Sequence, residues 1–114
     1  MSEATRCIDV GSIEDVPVRG SRVVETPLGR IAVFRTADES VFAIDDRCPH
    51  LEGPLSDGIV HGHSVTCPLH NLVIDLETGK GKAPEGGCAV TYPVETREGR
   101  ILLRVSTDRR TEVV

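Results

Sequence analysis

An all-β fold of many short antiparallel strands is predicted by three features of the sequence. Aromatic residues make up only 3% of the chain, so the interior has to be assembled from Val, Ile and Leu, whose β-branched members suit a pleated surface. Short apolar runs recur between Gly, Pro, Asn, Asp and Ser. Only residues 12–16 hint at a helical turn. The length, 114 residues, fits one domain, read as residues 1–114.

Taken in order, Cys7 begins an apolar strand-like run and reads as a small buried hydrophobe. Strands are expected over residues 23–26, 30–35 and 41–45, with turns at Pro27-Leu28-Gly29 and Ala37-Asp38-Glu39-Ser40. Apolar residues crowd residues 30–35, as expected of a strand buried for most of its length. A Gly-, Pro- and His-rich stretch follows, in which residues 58–61 and 64–66 pair across His61-Gly62-His63. Another strand over residues 72–76 ends at Glu77-Thr78-Gly79. Residues 80–87 form a glycine-rich loop, and residues 90–96 and 100–105 a closing hairpin across Arg97-Glu98-Gly99. The tail after Ser106 is polar and expected to fray. The central loop-rich segment reads as a smaller subdomain inserted between the strands.

The net charge is -5, from 18 acidic and 13 basic residues. This excess repels phosphate backbones, which argues against nucleic acid as a partner, and it suits a basic patch on another protein or plain solubility. The opening MSEATRCIDV holds no apolar run of signal-peptide or membrane-span length. A cytoplasmic location without membrane contact is expected. There, cysteines are more often reduced, catalytic or metal-bound than paired, so a bridge between Cys7 and Cys88 is not expected. His61, His63, Lys80 and Lys82 read as solvated loop residues. No Ser/His/Asp arrangement, phosphate-cradling loop or carboxylate pair stands out, so catalysis by this chain alone is not expected.

The chemistry concentrates in CPHLEGPLSDGIVHGHSVTCPLH, residues 48–70, with two of the four cysteines and all four histidines. Cys48 and His50 form a Cys-x-His; Cys67 and His70 form a Cys-x-x-His after sixteen intervening residues. Each half begins Cys-Pro, and proline fixes φ and removes a donor, giving each loop a rigid start. Two such loops, each offering a thiolate and an imidazole, suit one metal centre. A tetrahedral Cys2His2 zinc site uses these residue types, though usually as a Cys pair followed by a His pair. A two-iron, two-sulfide cluster with both thiolates on one iron and both imidazoles on the other suits the alternation.

This pattern resembles the Rieske signature, Cys-x-His then Cys-x-x-His. The resemblance implies a Rieske-type sandwich or barrel with a cluster-binding subdomain over about residues 46–76. It implies a [2Fe-2S] cofactor held by Cys48 and Cys67 on the inner iron and by His50 and His70, through Nδ1, on the outer. The imidazole edges would then face solvent. Two ferric ions, two sulfides and two thiolates sum to zero charge, so an electron is accepted more readily than by a four-cysteine cluster. High-potential members carry an extra disulfide, but the matching positions here are Gly53 and Leu69. They also carry hydroxyls near sulfur, where this chain has Leu72 and Ile74, which cannot donate. Fewer hydrogen bonds to sulfur imply the low-potential, ferredoxin-like class.

Two sub-families fit. Residues 53–62 (GPLSDGIVHG), 65–71 (VTCPLHN) and 73–79 (VIDLETG), with Gly86-Gly87-Cys88 and Tyr92-Pro93-Val94, resemble the small subunit of assimilatory NAD(P)H-dependent nitrite reductase. That implies electron relay within a complex that reduces nitrite to ammonia, beside a large subunit carrying flavin and siroheme. Many such small subunits have lost the ligands and kept the fold, whereas this chain keeps all four. The alternative is the ferredoxin of an aromatic-ring-hydroxylating dioxygenase, partnered by an oxygenase and a reductase. Those ferredoxins usually have a phenylalanine in the strand after the second His, where this chain reads Leu72-Val73-Ile74-Asp75.

Overall fold

The computed structural model describes residues 5–26, 29–47, 54–67, 72–82 and 87–106. Ten strands are named among them: β1 (Thr5–Ser12), β2 (Gly20–Thr26), β3 (Gly29–Arg35), β4 (Val41–Asp45), β5 (Ile59–His61), β6 (Ser64–Thr66), β7 (Val73–Asp75), β8 (Thr91–Tyr92), β9 (Val94–Arg97) and β10 (Arg100–Ser106). All pairings are antiparallel, in three sheets ordered β1-β10-β9, β2-β3-β4-β8 and β5-β6-β7. The predicted all-β class and the inserted small sheet are both present.

The layering follows from the alternation of side chains along a strand. On β3, Ile31 and Val33 face one core and Ala32 and Phe34 face another; all four are essentially inaccessible. On β4, Ala43 joins the first core and Ile44 the second. The sheet β2-β3-β4-β8 is therefore the middle layer. One face packs on Val10, Ile101 and Leu103 of the outer sheet. The other packs on Val60, Val65 and Ile74 of the small sheet, with Leu55, Leu72 and Leu76 around them. A strand covered on both faces reads as a continuous apolar run, which explains the crowding in residues 30–35.

Two turns carry the predicted chemistry. Ser12 caps a 3-10 turn at Ile13–Asp15: its hydroxyl accepts from the Glu14 N–H at 3.1 Å, and its own N–H donates to Asp15 Oδ2 at 3.0 Å. The residue 37–40 turn is closed by the Thr36 N–H donating to the Ser40 carbonyl at 2.9 Å. Residues 27 and 28 of the other predicted turn, residues 83–86 of the glycine-rich loop and the tail from 107 lie outside the described residues.

Three expectations are corrected. The run at residues 90–96 is two strands: β8 pairs with β4 and β9 with β10. The chain changes sheets at Pro93, which has no N–H to extend a ladder and whose carbonyl accepts from the Arg104 N–H at 3.0 Å. A second 3-10 turn, Leu55–Asp57, stands where none was expected, with Leu55 fully buried. Cys7 is exposed, because β1 is an edge strand of the outer sheet and turns that residue away from the core. Cys7 and Cys88 are both free thiols.

Gly79 joins the end of β7 to the segment leading to β8. Its N–H donates to the Asp75 carbonyl and its carbonyl accepts from the Ala89 N–H, each at 2.7 Å. Its φ is +80°, and an added Cβ would meet the Ala89 carbonyl oxygen, with Thr91 Cγ2 at 3.0 Å. Gly62, at φ +57°, has nothing within 4 Å. Gly79→Ala is expected to cost about 3 kcal/mol, against about 1 kcal/mol for Gly62→Ala, in urea unfolding. Equal costs would contradict the close-approach argument.

Candidate metal centre

In chain order, the two segments that hold the predicted ligands precede β5 and follow β6. β5 and β6 pair as Ile59↔Thr66, Val60↔Val65 and His61↔Ser64, and β6 pairs with β7 as Ser64↔Asp75, Val65↔Ile74 and Thr66↔Val73. Cys67 follows β6 directly. Its N–H donates to the Leu72 carbonyl at 2.7 Å, so the ends of the segment containing His70 are held side by side. Cys67 is fully buried, in one core with Val65, Leu72 and Ile74. Cys48, His50 and His70 lie outside the described residues. Residues 47 and 54 bracket the first two, and residues 67 and 72 bracket the third.

The donor set suits iron and sulfide. A thiol in a dry aliphatic setting is a poor acid by itself and becomes a stable thiolate when a metal ion takes the charge. Leu72 and Ile74 are buried, and neither carries a hydroxyl to donate toward sulfur. Two thiols and two imidazoles in the Cys-x-His and Cys-x-x-His motifs of the sequence suit the two-thiolate, two-imidazole division of a Rieske centre.

His61 and His63, expected to be solvated, both make polar contacts. His61 Nε2 lies 2.6 Å from Thr66 Oγ1 across the β5–β6 pair. His63 holds three segments together. Its Nδ1 is 2.6 Å from Glu77 Oε2, just after β7, and its Nε2 is 2.9 Å from Asp38 Oδ2 in the β3–β4 turn. Its ring lies against Phe42, with centroids 5.0 Å apart. Asp38 in turn accepts from the Thr36 hydroxyl and from the Ser40 N–H at 3.3 Å. His63 thus ties the small sheet to the middle layer. Sequence spacing gave no sign of this, because Asp38 is 25 residues away.

The comparisons with known proteins agree with this site. Fold and donor set define an iron–sulfur electron-transfer domain. Residues 6–93 match the Rieske [2Fe-2S] domain, and the chain belongs to that family and carries its [2Fe-2S] cluster. It is 39% identical to the 3-phenylpropionate/cinnamic acid dioxygenase ferredoxin subunit of Photorhabdus laumondii subsp. laumondii, over 88% of this chain and 95% of that one. Its fold matches the ferredoxin of carbazole 1,9a-dioxygenase from Nocardioides aromaticivorans at a TM-score of 0.77 and 26% identity, covering 85% of this chain and 95% of that one. It also matches a provisionally assigned NADH-dependent nitrite reductase small subunit from Mycobacterium tuberculosis, again at 0.77, with 22% identity over 92% and 97% of the two chains. At that identity the likeness is one of fold. Among the described residues, no helix is long and apolar enough to cross a membrane.

The contacts of His63 make the junction pH-dependent. Hydrogen bonds to Glu77 and then Asp38 raise its pKa above the ordinary 6.5. Asp38 is held well below the usual carboxylate value, first by the Thr36 hydroxyl and then by His63. The His63 contribution is complete below pH 6.5 and is lost as pH rises through the raised folded value. The Asp38 contribution is complete above pH 3.8 and is lost as acid protonates the folded carboxylate. His63→Ala is therefore expected to lower the urea midpoint most near pH 6 and least near pH 9. A difference constant across that range would contradict the ion-pair account.

Proposed function

We propose that this chain is the ferredoxin of an aromatic-ring-hydroxylating oxygenase system, passing single electrons from a reductase to the oxygenase. The observation that carries this reading is the 39% identity to a dioxygenase ferredoxin subunit along nearly the whole of both chains. In this reading Cys48 and Cys67 hold the inner iron, and His50 and His70 hold the outer. The bound cluster supplies a reversible one-electron couple with every coordination position filled. The chain's own part is to keep Cys67 dry, to fix the residues that flank each ligand segment, and to offer no hydroxyl toward sulfur from Leu72 or Ile74. Docking is left to the surface around the histidine loops, and a reducing cytoplasm suits the thiol ligands.

A second reading, the small subunit of NAD(P)H-dependent nitrite reductase, is favoured by the segments at residues 53–62, 65–71 and 73–79 and by the fold shared with the Mycobacterium tuberculosis protein. There the partner would be a large subunit with flavin and siroheme, and the complex would reduce nitrite to ammonia. The two readings share the cluster and differ in the acceptor.

Freshly made protein is expected to contain equal iron and acid-labile sulfide and to give a Rieske EPR signal after dithionite reduction. Cys48→Ser and Cys67→Ser should abolish both. The midpoint potential is expected below about +100 mV, within the family span of roughly -150 to +300 mV; a visible redox titration well above that would overturn the low-potential assignment. Acceptor identity is tested with the reduced protein and two partners. Ring hydroxylation by an oxygenase deprived of its own ferredoxin is the expected result. Electron delivery only to a siroheme-containing large subunit would replace the first reading by the second.

A further inference from the structure

Asp46 holds the most enclosed charge among the described ion pairs, with a side chain 1% exposed. Its Oδ1 accepts from the Ser56 N–H at 2.7 Å, and its Oδ2 accepts from the Ser56 hydroxyl at 3.0 Å. Arg30 Nη2 lies 3.3 Å from Oδ2, from a side chain 58% exposed. The Asp46 N–H donates to the Arg30 carbonyl at 3.0 Å, and the Ser56 carbonyl accepts from the Ser21 hydroxyl at 2.8 Å. Both partners are thus anchored on the middle layer, Asp46 through β3 and Ser56 through β2. A buried carboxylate persists only where donors satisfy it, and both Ser56 donors lie ten residues along the chain. Cys48 and His50 lie between.

We infer that Asp46 is a positioning residue for the first ligand loop: the two hydrogen bonds it accepts from Ser56 clasp the two ends of that loop together. The inference rests on the ligand assignment proposed above. A closed loop has less freedom to lose when its ligands bind, and groups that orient ligands set how tightly a metal is kept. The opposite loop has its own closure in the Cys67–Leu72 backbone bond. The first loop has the carboxylate instead.

The test uses the cluster-loaded full chain as wild type, Asp46→Ala, Asp46→Asn, Ser56→Ala and Arg100→Ala. The last removes an exposed pair to Asp9 in the outer sheet, at 2.9 and 3.1 Å, and calibrates ordinary destabilisation. Cluster loss to an iron chelator is followed by visible absorbance, the reduced cluster by EPR, and the fold by melting temperature. Asp46→Ala is expected to lose its cluster roughly 10–100-fold faster, with an altered EPR line shape. Asp46→Asn, which keeps the oxygen facing the Ser56 N–H, and Ser56→Ala, which keeps that N–H, should fall between. They carry the test if Asp46→Ala does not fold. Wild-type loss rates and line shapes in the Asp46 and Ser56 variants would overturn the inference. So would rates that follow melting temperature alone on one line with Arg100→Ala. The ligand assignment fails separately, if Cys48→Ser retains a full cluster.

Discussion

The small sheet depends on a core it does not own. Three strands of three residues each cannot bury enough apolar surface to stand alone in water. Val60, Val65 and Ile74 are covered because Ala32, Phe34 and Ile44 of the middle layer complete the other side. Each Val, Ile or Phe side chain among these contributes about 1.5–3 kcal/mol when fully buried. Cys67 sits within that same apolar group. The position of the Cys67 thiol is therefore set by packing between two sheets.

That arrangement asks something unusual of β3 and β4, which must be apolar on both faces. The outer sheet takes Ile31, Val33 and Ala43; the small sheet takes Ala32, Phe34 and Ile44. The chain has two phenylalanines and no tryptophan; Phe34 and Phe42 both lie at the small-sheet interface, and the rest of both interfaces is mainly aliphatic. Polar contacts then supply orientation. His63 reaches from the small sheet to Asp38 in the β3–β4 turn, and Asp46, at the end of β4, reaches out to Ser56.

Much of this was legible in advance. The all-β class, the strands at 41–45 and 64–66, the turn at 37–40 and the inserted sheet follow from local signals: apolar runs, glycine and proline. The Cys-x-His and Cys-x-x-His pair carries the family by residue type and spacing alone. What was not legible depends on distant partners. Residues 90–96 look like one strand until β4 and β10 compete for its two halves. Cys7 looks buried until β1 is known to be an edge. Asp46 and His63 look like ordinary polar residues, because Ser56, Asp38 and Glu77 reach them only through the tertiary fold. The choice between oxygenase and nitrite reductase lies outside the fold, since solved structures of both kinds superpose on this chain equally well.

The ownership of that shared core bears on how the protein folds. In a zinc finger the metal supplies the folding energy, and the empty chain is unstructured. Here the apolar face of the insert is closed by protein, with Leu55, Leu72 and Leu76 packed around it. The insert's share of the folding energy is thus drawn from aliphatic burial against the middle layer.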